Sequence, residues 1–160
     1  MNPSMSRFIA AAAALIVTAA LTGNSTSAYA AENAASVAPA AATLTVRFEG
    51  ITIPTGQIMM SVFDSEAAYD AGGKPLRGAM AKVEGDHATV VLNGLAPGRY
   101  AIKSFHDVNG DGNMASNPFG MPIEPYAFSN NAKPQGSAPG WAATVFDVAA
   151  GETSISIIIQ

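Results

Sequence analysis

The chain has 160 residues, a length that suits one ordinary domain better than two. Only 12% of the residues are charged, with 8 basic and 12 acidic side chains, so no basic surface is available to neutralise a nucleic-acid backbone. Nucleic acid is therefore excluded as a partner. The absence of cysteine excludes disulfides, thiolate metal sites, cysteine nucleophiles and a lipid-anchored N-terminal cysteine.

Residues 1–30 have the pattern of a cleavable signal peptide. Arg7 precedes an apolar run over residues 8–21, and Ala28 and Ala30 are the small residues that a signal peptidase reads. The run has about 14 residues, fewer than the roughly 20 that a transmembrane helix needs, so we expect no membrane span after cleavage. The mature protein is predicted to be periplasmic or secreted, with residues 31–42 as a flexible tether before the domain.

Short β-strands follow from residue 43 to the C-terminus. Leu44, Val46 and Phe48 alternate with polar residues, the period of a half-buried strand, and turn residues separate six further strand-length runs. The predicted strands are 43–49, 57–63, 79–84, 87–92, 99–105, 142–148 and 153–159. We expect three hairpins, which pair the first strand with the second, the third with the fourth and the sixth with the seventh. We therefore predict an all-β fold, an antiparallel seven-strand immunoglobulin-like sandwich with one long inserted loop over 107–140.

The predicted loop over 107–140 is too long to be ordered without local support, because each ordered residue costs on the order of 1 kcal/mol of backbone entropy. Two kinds of support are visible in the sequence. The first is an apolar cluster expected to lie buried beneath the loop, formed by Phe119, Met121, Ile123, Tyr126 and Phe128. The second is a bound ion.

Residues 107–113 match the first seven positions of a calcium-binding loop, with side-chain oxygens at alternate positions and Gly112 at the sharp turn. Pro118 stands where an EF-hand has its bidentate glutamate, which excludes an EF-hand and leaves Glu124 or the amide of Asn117 to complete the site. The predicted calcium ligands are Asp107, Asn109, Asp111, Asn113 through its carbonyl, and Glu124. With so few carboxylates we expect weak binding, with a dissociation constant of about 10⁻⁴ to 10⁻³ M.

The predicted calcium ligands and the neighbouring His106 also have interpretations that involve no ion. Asp107, Asn109 and Asn113 can cap neighbouring backbone N–H groups in a metal-free turn. His106 can act as a base or metal ligand, or it can simply bond a loop carbonyl. Both alternatives stay open at the level of sequence.

The function predicted from these features is that of an exported, non-catalytic module that binds a ligand or serves a structural role. No nucleophile elbow, zinc-protease helix or phosphate-binding glycine loop occurs, and the rival hypothesis is a hydrolase using His106 with Asp107 or Glu124. Residues 128–131 and Trp141 form either a glycan-binding rim or the closed end of the sandwich. We expect a monomer whose ligand is a glycan or an envelope component.

Three spaced motifs resemble a bacterial family known as domain of unknown function 2141. They are Leu95-x-Pro97-Gly98-x-Tyr100-Ala101, His106-Asp107-x-Asn109-Gly110-Asp111-Gly112, and Asn117-x-Phe119-Gly120-x-Pro122-x-Glu124-x-Tyr126-x-Phe128-Ser129-Asn130-Asn131. The segment Leu92–Tyr100, which overlaps the first motif, is also similar to a segment of transthyretin-like and carboxypeptidase-regulatory-like sandwiches. The resemblance covers residues 44–160 and implies an exported small β-sandwich, and it brings no established activity.

Overall fold

The computed structural model describes residues 41–160, so the predicted signal peptide and nearly all of the predicted tether lie outside the described residues. The described part is built mainly of β-strands, joined by loops, one 3₁₀ turn and two short helices. In chain order the elements are β1 (Ala42–Glu49), β2 (Gln57–Phe63), α1 (Glu66–Asp70), β3 (Arg77–Lys82), β4 (Ala88–Leu95), β5 (Gly98–Asp107), β6 (Tyr126–Phe128), a 3₁₀ turn (Ser129–Asn131), α2 (Trp141–Thr144), β7 (Phe146–Val148) and β8 (Gly151–Ile158).

The strands form two sheets. The smaller sheet has the order β4-β1-β8, and the larger has the order β3-β2-β5-β6, with β7 also paired to β5. The prediction of an all-β fold is confirmed, but the prediction of seven antiparallel strands needs two corrections. The segment predicted to be a continuous loop contains an eighth strand, β6, and the pairing of β1 with β8 is parallel.

None of the three predicted hairpins forms, because each predicted turn carries the chain from one sheet to the other. The first and second strands lie in different sheets, as do the third and fourth and the last two. Between β3 and β4 only an isolated bridge joins Glu84 to His87. Alternation of apolar and polar residues defines which face of a strand is buried and says nothing about its partner. The predicted sixth strand is also too long, since residues 142–144 belong to α2.

The main core lies between the two sheets. Leu44, Val46 and Phe48 of β1 are fully buried there, as the alternation predicts, and residues of β2, β4, β5 and β8 meet them. Tyr100 and Ile102 of β5 point into the same core. The Tyr100 hydroxyl donates a hydrogen bond to the carbonyl of Ala96 at 2.7 Å, which fixes the turn before β5.

A second, smaller cluster lies on the outer face of the larger sheet. It joins Phe63 of β2 and Ala101 of β5, which are register partners, to Tyr69 of α1 and Trp141 of α2. The rings of Phe63 and Tyr69 pack edge to face with centroids 5.3 Å apart, and Trp141 packs on Tyr69 in the same way. The two helices therefore cover one end of this sheet face. Neither they nor any other helix within residues 41–160 has the length and apolar character of a membrane span.

Candidate functional site

The segment after β5 begins with a carboxylate that is fully buried. Asp107 has no exposed surface, and its Oδ1 accepts hydrogen bonds from the backbone N–H groups of Gly110 and Asp111 at 2.8 and 3.1 Å. Its Oδ2 accepts from the N–H of Gly112 and from the side-chain amide of Gln57, both at 2.9 Å. A carboxylate offers about four lone-pair sites, so these four donors use its accepting capacity in full.

These donors also define the charge state of Asp107. The Gln57 amide, followed by the N–H groups of Gly112, Gly110 and Asp111, lowers the pKa of Asp107 below its ordinary value of 3.8, against the opposing effect of burial. Donors that bond the charged form favour ionisation. Asp107 is therefore a negative charge at neutral pH that the turn encloses, in the manner of an anion held by backbone amides.

A second buried carboxylate ties the two ends of the following segment together. Oε1 of Glu124 accepts from the N–H of Val108 at 3.0 Å, and Oε2 accepts from the N–H of Ala115 at 2.9 Å. The N–H of Ile123 also donates to the carbonyl of Ala115 at 2.9 Å. Glu124 thus closes the loop on itself through charge-assisted hydrogen bonds.

The predicted calcium ligands are therefore placed as caps of the turn. Oδ1 of Asn109 accepts from the N–H of Asp111, while Asp111 in turn accepts from the N–H of Asn113. Gly110 and Gly112 have φ of +76° and +77°, as their predicted role in the turn requires. The hydrogen bonds of the metal-free turn are present for Asp107 and Asn109. Within residues 41–160 no group of three or more His, Asp or Glu side chains is arranged to hold a metal ion, and calcium stays a prediction.

His106 lies inside the molecule and binds a loop carbonyl. It is almost fully buried, and its Nε2 lies 2.6 Å from the carbonyl oxygen of Thr55. Next to it, Gly56 has φ +77°, and a Cβ at that position would collide with the backbone of Asp107. This contact and the histidine fasten the β1–β2 turn to the start of the loop. The arrangement leaves no exposed base at His106 for the hydrolase hypothesis.

The predicted apolar cluster beneath the loop is wrong for three of its five members. Phe119 is 88% exposed, and Met121 and Ile123 are also exposed, while Tyr126 is half-buried and Phe128 is buried in β6. A tight turn explains the exposure, because Oδ1 of Asn117 accepts from the N–H groups of both Phe119 and Met121. The turn orders its backbone without burying its side chains.

The segment that follows β5 lies beside residues on the outer face of the larger sheet. Met59 of β2, Phe105 of β5 and Tyr126 of β6 are consecutive register partners and form one apolar row across three strands. In the next row, Lys103 lies between Ser61 and Phe128. Because residues two apart on a strand point to the same face, both rows face outward together.

These rows form the floor of a groove of about 660 Å³. The loop supplies its walls, with Met114, Met121 and Pro122 from one stretch and Pro134 and Ala138 from another. Besides Lys103 and the hydroxyl of Tyr126, the polar residues that line it are Ser61, Asn117, Ser137 and Ser104, the last of which is itself buried. Among the residues that the structure describes, no acidic side chain lines the groove. Its volume and apolar lining match those of small-molecule sites, which typically measure about 300–1,000 Å³.

Lys103 is the cation that lines this groove. Its ammonium donates to the carbonyl of Tyr69 at 2.6 Å and lies 4.1 Å from the centroid of the Tyr69 ring and 5.2 Å from that of Phe63. Burial lowers the pKa of Lys103, and the negative charge of Asp70 acts in the opposite direction. The carbonyl and the two rings hold the ammonium in place, and the Lys103 residue as a whole is partly exposed.

The residues predicted as a glycan-binding rim have structural contacts instead. Trp141 is buried in the small cluster, and the Ser129 hydroxyl accepts from the N–H of Ile102 and donates to the carbonyl of Thr144. Asn130 and Asn131 adopt positive φ, and their side chains bond backbone groups of Val145 and Ile158. These contacts agree with the alternative that the segment closes an open part of the fold.

Sequence reasoning missed the groove residues on the strands. The signal was present in β2 and β5, where the outward positions Met59, Phe63, Ala101 and Phe105 are as apolar as the inward ones. A strand that is apolar on both faces is expected to have both faces covered. Applied to these two strands, that rule predicts a second layer over the sheet.

Comparison with known proteins identifies a family and no individual relative. Residues 46–156 match the model of a family described as "Uncharacterized protein conserved in bacteria (DUF2141)". No curated protein and no solved structure matches the chain. The match covers more than half of the chain, including both sheets, the buried carboxylates and the groove.

Proposed function

We propose that this chain, which belongs to the DUF2141 family, is an exported, non-catalytic binding module whose site is the groove on the outer face of the larger sheet. The observation that carries the proposal is the apolar row of Met59, Phe105 and Tyr126, which lies half-buried under a loop instead of being packed against another element. Export rests on the signal-peptide pattern of residues 1–30. The two facing sheets are in keeping with the immunoglobulin-like or transthyretin-like architecture expected from the sequence.

The composition of the groove favours an apolar ligand. Methionine is flexible and polarisable, and three methionines, Met59, Met114 and Met121, line this one groove. Such side chains adapt to apolar ligands of varied shape. Burying each of them against a ligand contributes about 1–2 kcal/mol, so the three together favour binding by about 3–6 kcal/mol before the cost of association.

The chemistry of the groove favours binding over catalysis. Its lining has neither a carboxylate nor a histidine among the residues described, and His106, Asp107 and Glu124 all bond backbone groups elsewhere. A hydrolase needs a base within reach of its substrate. Calcium is not required by this proposal, because the two buried carboxylates already order the loop through N–H donors.

Binding of the neutral fluorescent dye Nile red tests the proposal. The dye should bind the purified chain with increased, blue-shifted emission, because it enters an apolar environment. The double substitution Met59→Gln and Met121→Gln keeps side-chain length and removes apolar character, so we expect the dissociation constant to rise at least about tenfold.

Met80→Gln is the matched control. Met80 is the register partner of Met59 on the neighbouring strand, is 61% exposed and does not line the groove. We expect its substitution to leave dye binding unchanged. Absence of dye binding to the wild type, or equal binding by the double variant, would refute the proposed site.

A further inference from the structure

We infer that the ligand of this groove is a single-chain amphiphile with a carboxylate head, a long-chain carboxylic acid, whose head binds Lys103 and whose alkyl chain lies on the row of Met59, Phe105 and Tyr126. The inference rests on the proposed function and names the chemical class of its ligand. It follows from the charge, the row order and the polarity of the groove.

The charge of the groove is asymmetric. Lys103 lines the groove, and none of the described lining residues is acidic. An ammonium has three N–H donors, and Lys103 directs one of them to the carbonyl of Tyr69. Within residues 41–160 no other hydrogen-bond acceptor meets this ammonium, so its remaining N–H donors have no acceptor there. In a groove partly shielded from water, such a group gains more from a cation than it would at a free surface.

The row order separates the charge from the apolar surface. Lys103 and Phe105 are two residues apart on β5, which places their rows about 6.6 Å apart along the strand direction. Beyond Lys103 the same sheet face is filled by the cluster of Phe63 and Trp141. A ligand with its charge at Lys103 therefore extends over Phe105, along the groove that Met121 also lines.

The polarity of the lining selects an alkyl chain over a peptide. A peptide with a free carboxyl end would bring several amide groups into the groove, and each amide buried without a hydrogen-bond partner opposes binding. The groove offers few polar side chains, and one of the serines, Ser104, already donates to the carbonyl of Ala127. An alkyl chain makes no such demand.

Displacement of Nile red by three amphiphiles with alkyl chains of nearly equal length tests the inference. We would titrate dodecanoate and dodecyltrimethylammonium below their critical micelle concentrations, and dodecan-1-ol below its solubility limit, against the dye-loaded chain. We expect dodecanoate to displace the dye at about one tenth of the concentration that the alcohol requires. The cation should displace it least well.

The variant Lys103→Met removes the charge and keeps an apolar stem of similar length. We expect it to lose the preference for dodecanoate over dodecan-1-ol, measured as the ratio of the two concentrations that displace Nile red from the same variant. Lys103→Arg should retain the preference. Lys82→Met, on the exposed strand β3, is the matched control and should also retain it, because Lys82 does not line the groove.

The outcomes separate the two proposals. If the wild type binds the alcohol as well as the carboxylate, the groove binds apolar ligands and the inference about the carboxylate is wrong. If Lys82→Met weakens the preference as much as Lys103→Met, the effect is a general attraction and the inference is again wrong. If neither Nile red nor any amphiphile binds, the proposed function itself fails. Should Lys103→Met not fold, the ranking of the three amphiphiles on the wild type still decides the matter.

Discussion

The outer face of the larger sheet has two ends that are equally apolar and differently covered. At one end Phe63 and Ala101 are sealed under α1 and α2, with Phe63 only 4% exposed. At the other end Met59 and Phe105 lie under a loop and stay half-buried. The same two strands supply both pairs, so the difference comes from the covering segments and not from the sheet.

The two coverings are held in different ways. The helical covering is apolar and packs its rings edge to face, so its order and its burial have the same cause. The loop is ordered by buried carboxylates that accept backbone N–H groups, which requires little apolar burial. A loop fixed by its own hydrogen bonds can stand over a sheet without filling the space beneath it. The comparison thus explains how a groove persists beside a closed cluster.

The largest effect is expected from Phe63→Ala at the closed end. Removing a fully buried ring leaves a cavity between the sheet and the helices, and we expect the free energy of unfolding to fall by about 3–5 kcal/mol, measured in urea. Nile red binding under native conditions should stay unchanged, because Phe63 does not line the groove. A loss below about 1 kcal/mol would show that the helices do not seal this end.

Asp107→Asn tests how the loop is held. Asparagine has one oxygen in place of two, and its NH2 group would face N–H donors that then lack an acceptor. We therefore expect the melting temperature at neutral pH to fall by several degrees. Asp111→Asn is the matched control in the same turn, and its exposed side chain predicts a smaller fall. Equal effects of the two substitutions would argue that the burial of Asp107 is not what orders the loop.

Acid should remove the contribution of Asp107 in a defined direction. Its pKa is lower in the folded protein than its ordinary value of 3.8, so its stabilising effect is present above pH 3.8 and is lost as the pH falls through the lowered pKa. Melting temperatures measured from neutral to acidic pH should therefore decline less steeply for Asp107→Asn than for the wild type. Parallel curves would contradict the assignment of this carboxylate as a buried charge.

Phe105→Ala is the counterpart of Phe63→Ala at the open end. Because Phe105 is half-buried, we expect its loss to lower the free energy of unfolding by only about 1 kcal/mol and to weaken Nile red binding about tenfold. Of the two phenylalanine substitutions, Phe63→Ala would then act mainly on stability and Phe105→Ala mainly on dye binding. If Phe105→Ala destabilises the protein as much as Phe63→Ala, the floor of the groove is part of the core.

The sequence predicted what depends on local pattern and missed what depends on partners. Alternation located β1 and its buried face, because it reflects burial directly, and the length of an apolar run located β2. It left the pairing of β1 with β8 undetermined, since the register between distant segments is decided by packing. The acidic motif at Asp107 indicated an ordered turn correctly, but oxygen spacing alone does not tell whether a cation or a set of N–H groups meets those oxygens.

Adding calcium tests whether a cation or N–H groups meet these oxygens, and it is the change for which we expect the smallest effect on the melting temperature. To bind a cation, Asp107 would have to give up N–H donors that already use its lone pairs, and Glu124 would have to release Val108 or Ala115. We therefore expect the melting temperature in about 1 mM calcium to equal that in chelator. A site with a dissociation constant near 10⁻⁴ M would instead add about 1.4 kcal/mol and raise the melting temperature by several degrees, the outcome that would restore the calcium ligands predicted from the sequence. If such a rise persisted in Asp107→Asn, the ion would lie elsewhere, because that substitution removes the carboxylate at the first position of the motif.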